Sequence, residues 1–252
     1  MNRLMSDMLQ ETKQSSTRGD FLESIDTGPA DPTGLSVFAP LHYEPDYTYP
    51  LLVWLHGSGQ NENQLRYVMP RISMRNYVAV APRGTKMIPE EASESADAFT
   101  WPQAENHVRR TLENVLESIE HARRHFRIHP DRIFLAGSGS GGTMAVRIAM
   151  NMPNYFCGVA SIGGALPTGN TPFRHLLDAR RLSLLLSVER DNLDYPDSMV
   201  CANLRLLHTA GMTVTLRQYP AGDSLSDLML SDIDRWIMET ISESQQAPVV
   251  TC

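Results

Sequence analysis

Seven apolar runs recur along this chain, and the segments between several of them bring apolar residues back every three to four positions. The runs are GLSVFAP (34–40), YPLLVWLHG (49–57), YVAVAPRGT (77–85), RIFLAG (132–137), FCGVASIGG (156–164), RLSLLLSVERD (181–191) and MTVTLRQYP (212–220). Short runs rich in β-branched residues and bounded by Gly or Pro read as strands. They are apolar throughout rather than alternating, as strands covered on both faces require. Helical spacing intervenes: Val108, Leu112, Val115, Leu116, Ile119, Ala122 and Phe126 share one face of 106–126, with charges opposite. Segments 141–152, 198–211 and roughly 225–241 read as further helices. The last opens with Ser224-Leu225-Ser226-Asp227, a capping-box pattern, and carries Leu225, Met229, Ile233, Trp236 and Ile237 on one face. Such alternation predicts an α/β fold with a mostly parallel central sheet, helices on both faces, and ligands at the carboxyl ends of the strands.

Length and charge narrow the function. A chain of 252 residues fits one α/β domain, expected here over 19–241, with tails at 1–18 and 242–252 where polar sequence shows no period. A net charge of −7, with no Lys/Arg run longer than two, argues against nucleic-acid or anionic-membrane partners. No run approaches the ~20 apolar residues of a membrane span, and the first residues lack the apolar core of a signal peptide, so a cytoplasmic location is expected. Cys157, Cys201 and Cys252 are odd in number and lack metal-ligand spacing. Neither a disulfide framework nor a metal site is expected.

The stretch IFLAGSGSGGTMAVRIA, Ile133 to Ala149, passes from a strand through six small residues into a helix. Two chemistries use such a turn. Gly137, Gly139 and Gly142 spell G-x-G-x-x-G, the dinucleotide fingerprint, but that motif opens its domain and needs an acid at the end of the next strand, which here reads SIGG. The other is the nucleophile elbow, G-x-S-x-G, which lifts a serine out of a sharp strand-to-helix turn.

Four motifs in order carry a resemblance: His56-Gly57-Ser58-Gly59, Gly137-Ser138-Gly139-Ser140-Gly141-Gly142, Asp191 in SVERD, and Tyr219-Pro220-Ala221-Gly222-Asp223. Together they resemble the phospholipase/carboxylesterase group of the α/β-hydrolase superfamily over about 35–241, whose members read HG-x-G-x, G-F-S-Q-G-G, an aspartate after the next-to-last core strand, and Y-P-x-G-H. The resemblance implies an α/β-hydrolase fold, a carboxylic-ester hydrolase ancestry, no cofactor, and a small-molecule acyl ester or anion as ligand.

Residue by residue, the carry-over leaves the triad incomplete. The nucleophile position falls on Gly139 and the histidine position on Asp223; only the acid, Asp191, remains. A serine hydroxyl attacks only when an imidazole takes its proton and a carboxylate orients that imidazole. Aspartate is a far weaker base than histidine at neutral pH and does not return a proton to the leaving group. The expected consequence is a chain with little or no hydrolysis, a ligand-binding pseudoenzyme in its cleft. Backbone donors outlast side-chain changes, so the amides of Ser58 and Ser140 keep the oxyanion-hole positions. Read one residue later, Ser140 is an alternative nucleophile for an active carboxylesterase. After Asp191, however, the only histidine is His208, on the helix side away from the strand carboxyl ends, while His107 and His175 break the chain order Ser, Asp, His. His121 and His125, four apart on the 106–126 helix, read as a solvated face, and His56 as a support for its turn. Trp101 in FTWPQ reads equally as a cleft wall or a core residue.

Overall fold

A computed structural model describes residues 34–89, 97–169, 174–193, 195–222 and 225–246. The strands are β1 (Leu35–Phe38), β2 (Tyr49–Leu55), β3 (Val78–Pro82), β4 (Lys86–Met87), β5 (Phe99–Thr100), β6 (Ile128–Ser138), β7 (Gly158–Ile162), β8 (Ser183–Glu189) and β9 (Val214–Tyr219). The helices are α1 (Leu65–Ile72), α2 (Glu105–His125), α3 (Ser140–Asn151), α4 (Leu176–Ala179), α5 (Asp197–Thr209) and α6 (Asp227–Gln246), with a 3-10 turn at Glu62–Gln64. Seven strands form one sheet in the order β1-β3-β2-β6-β7-β8-β9. Only β1 runs antiparallel to its neighbour; the rest are parallel.

The continuous apolar runs now have a physical reason. Along β2, Leu51, Val53 and Leu55 enter one core with Val108, Val115 and Ile119 of α2 and Met144, Ala145 and Ile148 of α3. Leu52 and Trp54 point the other way, into a core with α1 and α6 that holds Leu65, Met69, Met229, Ile233 and Ile237. Two dry faces therefore draw on alternate residues of the same strand, and no position is left for a polar side chain. All seven strands read from the sequence lie in this sheet, and the two central ones, β2 and β6, pair with Leu55 opposite Gly137.

Some boundaries differ from expectation. Helix α6 runs to Gln246 rather than stopping near 241. Its observed cap is Ser226, whose hydroxyl accepts from the Met229 N–H at 3.3 Å; Ser224 lies outside the described residues. Strand β6 begins at Ile128, with a register irregularity opposite Tyr49 and Leu51, before the apolar run from 132. Helix α1 has no counterpart in the sequence reading, because its eight residues LRYVMPRI include Pro70. Tertiary packing forms it: Leu65, Val68, Met69 and Ile72 are buried against the α6 side of the sheet. The small β4–β5 hairpin was likewise too short to read.

Candidate active-site cleft at the strand carboxyl ends

Because β2 and β6 are parallel neighbours in register, their exit loops leave the sheet side by side. A Cβ built on Gly57 would stand 3.0 Å from the Ser138 hydroxyl, and one on Gly141 would overlap the main-chain carbonyls of Leu55 and His56. The two glycine motifs are thus in contact, as the order of motifs predicts.

The first loop is braced from below. His56 is fully buried, and its Nε2 accepts from the Gly84 N–H at 2.9 Å, which leaves Nδ1 protonated and donating to the Gly57 carbonyl at 2.8 Å. Burial drives its pKa down to about 4, so the ring is neutral at ordinary pH. With both nitrogens used, His56 is a strut, as expected. Trp101 resolves to the core: it is buried, and its indole N–H donates to the His56 carbonyl at 2.8 Å. Gln64 accepts from the Gly57 N–H at 3.2 Å, Gly59 N–H donates to the Phe99 carbonyl at 3.0 Å, and Phe99 N–H donates to Gln60. Below the loop, Arg83 donates to both carboxylate oxygens of buried Glu62 and lies over the Phe99 ring, 5.0 Å from its centroid. Burial alone would raise the Glu62 pKa, but the Arg83 guanidinium holds it below the usual carboxylate value.

The elbow itself is a tight turn with one open point. Gly137 admits no side chain, since a Cβ there would sit 2.6 Å from Gly141 C and 2.7 Å from the Leu55 carbonyl oxygen. Gly142 is similarly closed, by the Ser161 hydroxyl at 2.6 Å. Gly139 differs: it has φ 52° and ψ −122°, caps the N-terminus of α3, and, its chain neighbours aside, would place a Cβ with nothing within 4 Å among the described residues. Its N–H donates to the Ile162 carbonyl at 2.8 Å and its carbonyl accepts from Thr143 N–H at 3.1 Å, so the turn is fixed on both sides.

Ser140 is the first residue of α3 and is half-buried. Its hydroxyl lies 3.4 Å from the Thr100 hydroxyl, which in turn accepts from the Ser58 hydroxyl at 3.1 Å. This bridge joins the two loops, and the sequence reading missed it although FTWPQ was noted for Trp101. The N–H groups of Ser58 and Ser140 have no backbone partner among the described residues. No histidine ring bonds Ser138 or Ser140: His107 meets the Thr85 hydroxyl at 3.0 Å, His125 meets the His121 carbonyl at 2.8 Å, and His208 is exposed on α5. The rings of His121 and His125 stack at 4.4 Å on α2, and no group of three or more metal-ligating residues occurs among the described residues.

Asp191 follows β8 in a left-handed conformation, φ 59°, and is exposed. It stands on the loop expected for the acid but does not line the cleft; Glu189 and Asn192 do. Asp223 lies outside the described residues, which resume at Leu225. The cleft, about 520 Å³, is lined from the β2 exit by Gly57 and Ser58, from the elbow by Ser138 and Gly139, from the β7 exit by Ile162 and Gly163, and from α1 by Tyr67, Val68 and Arg71. Arg71 is itself engaged by Asp227 and the Leu225 carbonyl.

Known proteins share this fold. A rice protein (Oryza sativa subsp. japonica) named "Probable carboxylesterase" is 27% identical over 229 residues, covering 80% of this chain and 92% of the relative. The crystal structure of Arabidopsis thaliana SOBER1 superposes with a TM-score of 0.64 at 21% identity, covering 77% of this chain and 100% of that one. That of the Bacillus cereus carboxylesterase superposes at 0.62 and 15% identity, covering 88% and 98%. These likenesses establish the α/β-hydrolase fold. No described helix is long and apolar enough to cross a membrane. The model of the esterase family, described as "Putative esterase", matches residues 28–202, well over half of the chain, and the chain belongs to that family.

Proposed function

We propose that this chain is an esterase-family protein that binds an acyl ester or anion in its cleft without hydrolysing esters at an enzyme's rate. The observation that carries this reading is Gly139. It holds the left-handed turn from which an elbow nucleophile would project, and among the described residues nothing but its chain neighbours stands within 4 Å of where the side chain would begin. Three further features support it. The described histidines are engaged elsewhere or exposed, Ser140 has a hydroxyl rather than an imidazole as its partner, and position 223 is an aspartate. Losing a triad costs on the order of 10^6 in turnover, leaving about 10^3 to 10^4 over water from the oxyanion donors and binding. Within this reading, Gly139, Asp191 and Asp223 are the vacated triad positions, and the Ser58 and Ser140 amides are the surviving oxyanion donors. A carboxylesterase active through Ser140 is the competing reading, favoured by that hydroxyl standing half-exposed on the first turn of α3.

A fluorophosphonate probe separates the two. No adduct is expected; an adduct on Ser140 or Ser138, located by mass spectrometry, overturns the proposal. The repair experiment is its complement: Gly139→Ser together with Asp223→His is expected to raise short-chain p-nitrophenyl ester hydrolysis, while either substitution alone leaves it at background.

A further inference from the structure

We infer that the chain carries a second ligand site, at the amino ends of β2 and β3 and away from the cleft, which takes a phosphate monoester of a small flat-ring compound. The site is a cavity of about 330 Å³, at the small end of the range for ligand pockets. Arg75 and Arg132 both line it, and Pro50, Met238 and Ile241 give it apolar surface. Tyr47 and Glu44, both exposed, belong to the same lining, which shares no residue with that of the cleft.

Topology brings the two arginines together. Strand β2 lies between β3 and β6, and Leu51 pairs with Val78 on one side and with Ile133 on the other. Arg75 stands shortly before Val78 and Arg132 immediately before Ile133, so they reach the amino end of β2 from its two flanks. The register irregularity of β6 serves the same end: between the Tyr49–Ile128 and Leu51–Ile133 pairs, residues 129–132 stand against Pro50 alone, and this excursion ends at Arg132. Neither arginine enters an ion pair among the described residues, although Arg132 is half-buried. A guanidinium drawn partly out of water gains from an anion, and its planar fork matches phosphate oxygens.

The wall beside the arginines is aromatic and fixed. Tyr43 stacks on Tyr49 at 5.2 Å, and Tyr47 meets Tyr49 edge to face at 4.6 Å. The Tyr49 hydroxyl accepts from the Glu44 N–H at 3.0 Å, and the Tyr43 hydroxyl from the Arg127 N–H at 2.9 Å. Tyr47 therefore keeps 51% exposure on a loop that is already held in place. A preformed ring beside apolar side chains takes a flat ring at little ordering cost. Glu44 sets the charge: two guanidiniums and one carboxylate leave one net positive charge, enough to hold a monophosphate but opposed to the further charge of a triphosphate. A carboxylate ligand brings half the charge of a phosphate dianion to the same two forks.

Phenyl phosphate and AMP present phosphate and ring together, from a one-ring and a nucleoside source, while benzoate, adenosine and inorganic phosphate each lack one of the two groups. Each is titrated into the full chain and followed by amide chemical shifts. Phenyl phosphate or AMP is expected to saturate, to shift the Asn76 and Arg132 amides but not those of Gly139 and Ser140, and to bind at least tenfold tighter than the three incomplete probes. The tighter of the two names the source. Arg75→Gln and Arg132→Gln are each expected to weaken it about tenfold, the worth of one hydrogen bond to a charged group. Tyr47→Ala should bring its affinity down toward that of inorganic phosphate. Arg75 is exposed, so Arg75→Gln should leave the free protein's melting temperature unchanged and reads the site even where Arg132→Gln fails to fold. Failure of both phosphate esters to saturate, shifts confined to the cleft, equal binding of inorganic phosphate, or full affinity in Arg75→Gln each overturns the inference.

Discussion

The underside of the 137–142 turn and its tip differ in how much room they leave. Gly137, Gly141 and Gly142 let α3 sit directly on the β2 and β6 backbones, and a Cβ at any of them meets an atom closer than ordinary contact. Gly139, in the same turn, meets no described residue beyond its chain neighbours on its side-chain face, and glycine there answers to its backbone angles. Packing therefore demands the glycines below, whereas the glycine at the tip answers to conformation alone. The fold keeps the elbow's scaffold intact with a glycine at its tip.

The largest expected effect is at the underside. Gly141→Ala forces a methyl group against the carbonyls of Leu55 and His56, which are backbone of a central strand and its exit and cannot rotate aside. Overpacking against fixed atoms should cost about 3 kcal/mol or more. In a domain of this size that is a fall of roughly 6 to 12 °C in melting temperature. A calorimetric scan showing less than a couple of degrees would mean the underside is not tight.

Next comes acid sensitivity of the same underside through His56. Burial holds its pKa near 4 against 6.5 for the ordinary side chain. Between those values the unfolded chain takes up a proton that the folded one refuses, so this contribution is complete above about pH 6.5 and is lost as pH falls toward 4. At about 1.4 kcal/mol per pKa unit the loss approaches roughly 3 kcal/mol. Denaturant unfolding between pH 7 and pH 4.5 measures it. His56→Asn should lower stability at pH 7 and flatten this part of the slope; a slope that the substitution leaves unchanged assigns the acid sensitivity elsewhere.

At the tip the effect should be smaller. Gly139→Ala adds a methyl group with room for it, at a φ of 52° that side chains avoid. The expected cost is about 2 kcal/mol, from backbone strain alone. If Gly139→Ala proves as damaging as Gly141→Ala, the tip is not open and the contrast fails.

The contrast also marks where the sequence was readable. The inner strands of the main sheet were legible because both of their faces are dry, and a run of Leu, Val and Trp such as 51–55 has no other home; the edge strands β1 and β9, only partly buried, were legible from the Gly and Pro that bound them. The elbow was legible because an apolar strand passes at once through six small residues into a helix, a pattern visible in the sequence even though the atoms that crowd those glycines come from Leu55, His56 and Ser161. What escaped is nonlocal. The Thr100 hydroxyl reaches Ser58 across 42 positions and Ser140 across 40, and no period or motif encodes that meeting. Glu62 and Arg83, 21 positions apart, carry no sequence signal of their pairing, which only the fold makes by burying the carboxylate against the guanidinium. Helix α1 escaped for the opposite reason: Pro70 is a strong local signal, and packing against α6 overrides it.

The smallest expected effect, and the one that bears most on function, is Ser140→Ala. The residue is half-buried at the tip, and its side-chain hydrogen bond among the described residues is a long one of 3.4 Å to Thr100, which keeps its shorter partner Ser58 when the Ser140 hydroxyl is removed. No donor or acceptor is stranded in the core, so the stability change should stay within about 0.5 kcal/mol. The main-chain N–H at 140 survives the substitution, so an oxyanion donor at that position survives with it. With no imidazole bonded to the Ser140 hydroxyl, ester turnover in the wild-type chain should sit at the level set by those donors and be the same in the variant. Turnover that collapses in Ser140→Ala while the melting temperature holds would make the tip catalytic one residue beyond Gly139, and open space at 139 would then be an accident of the turn rather than the mark of a lost nucleophile.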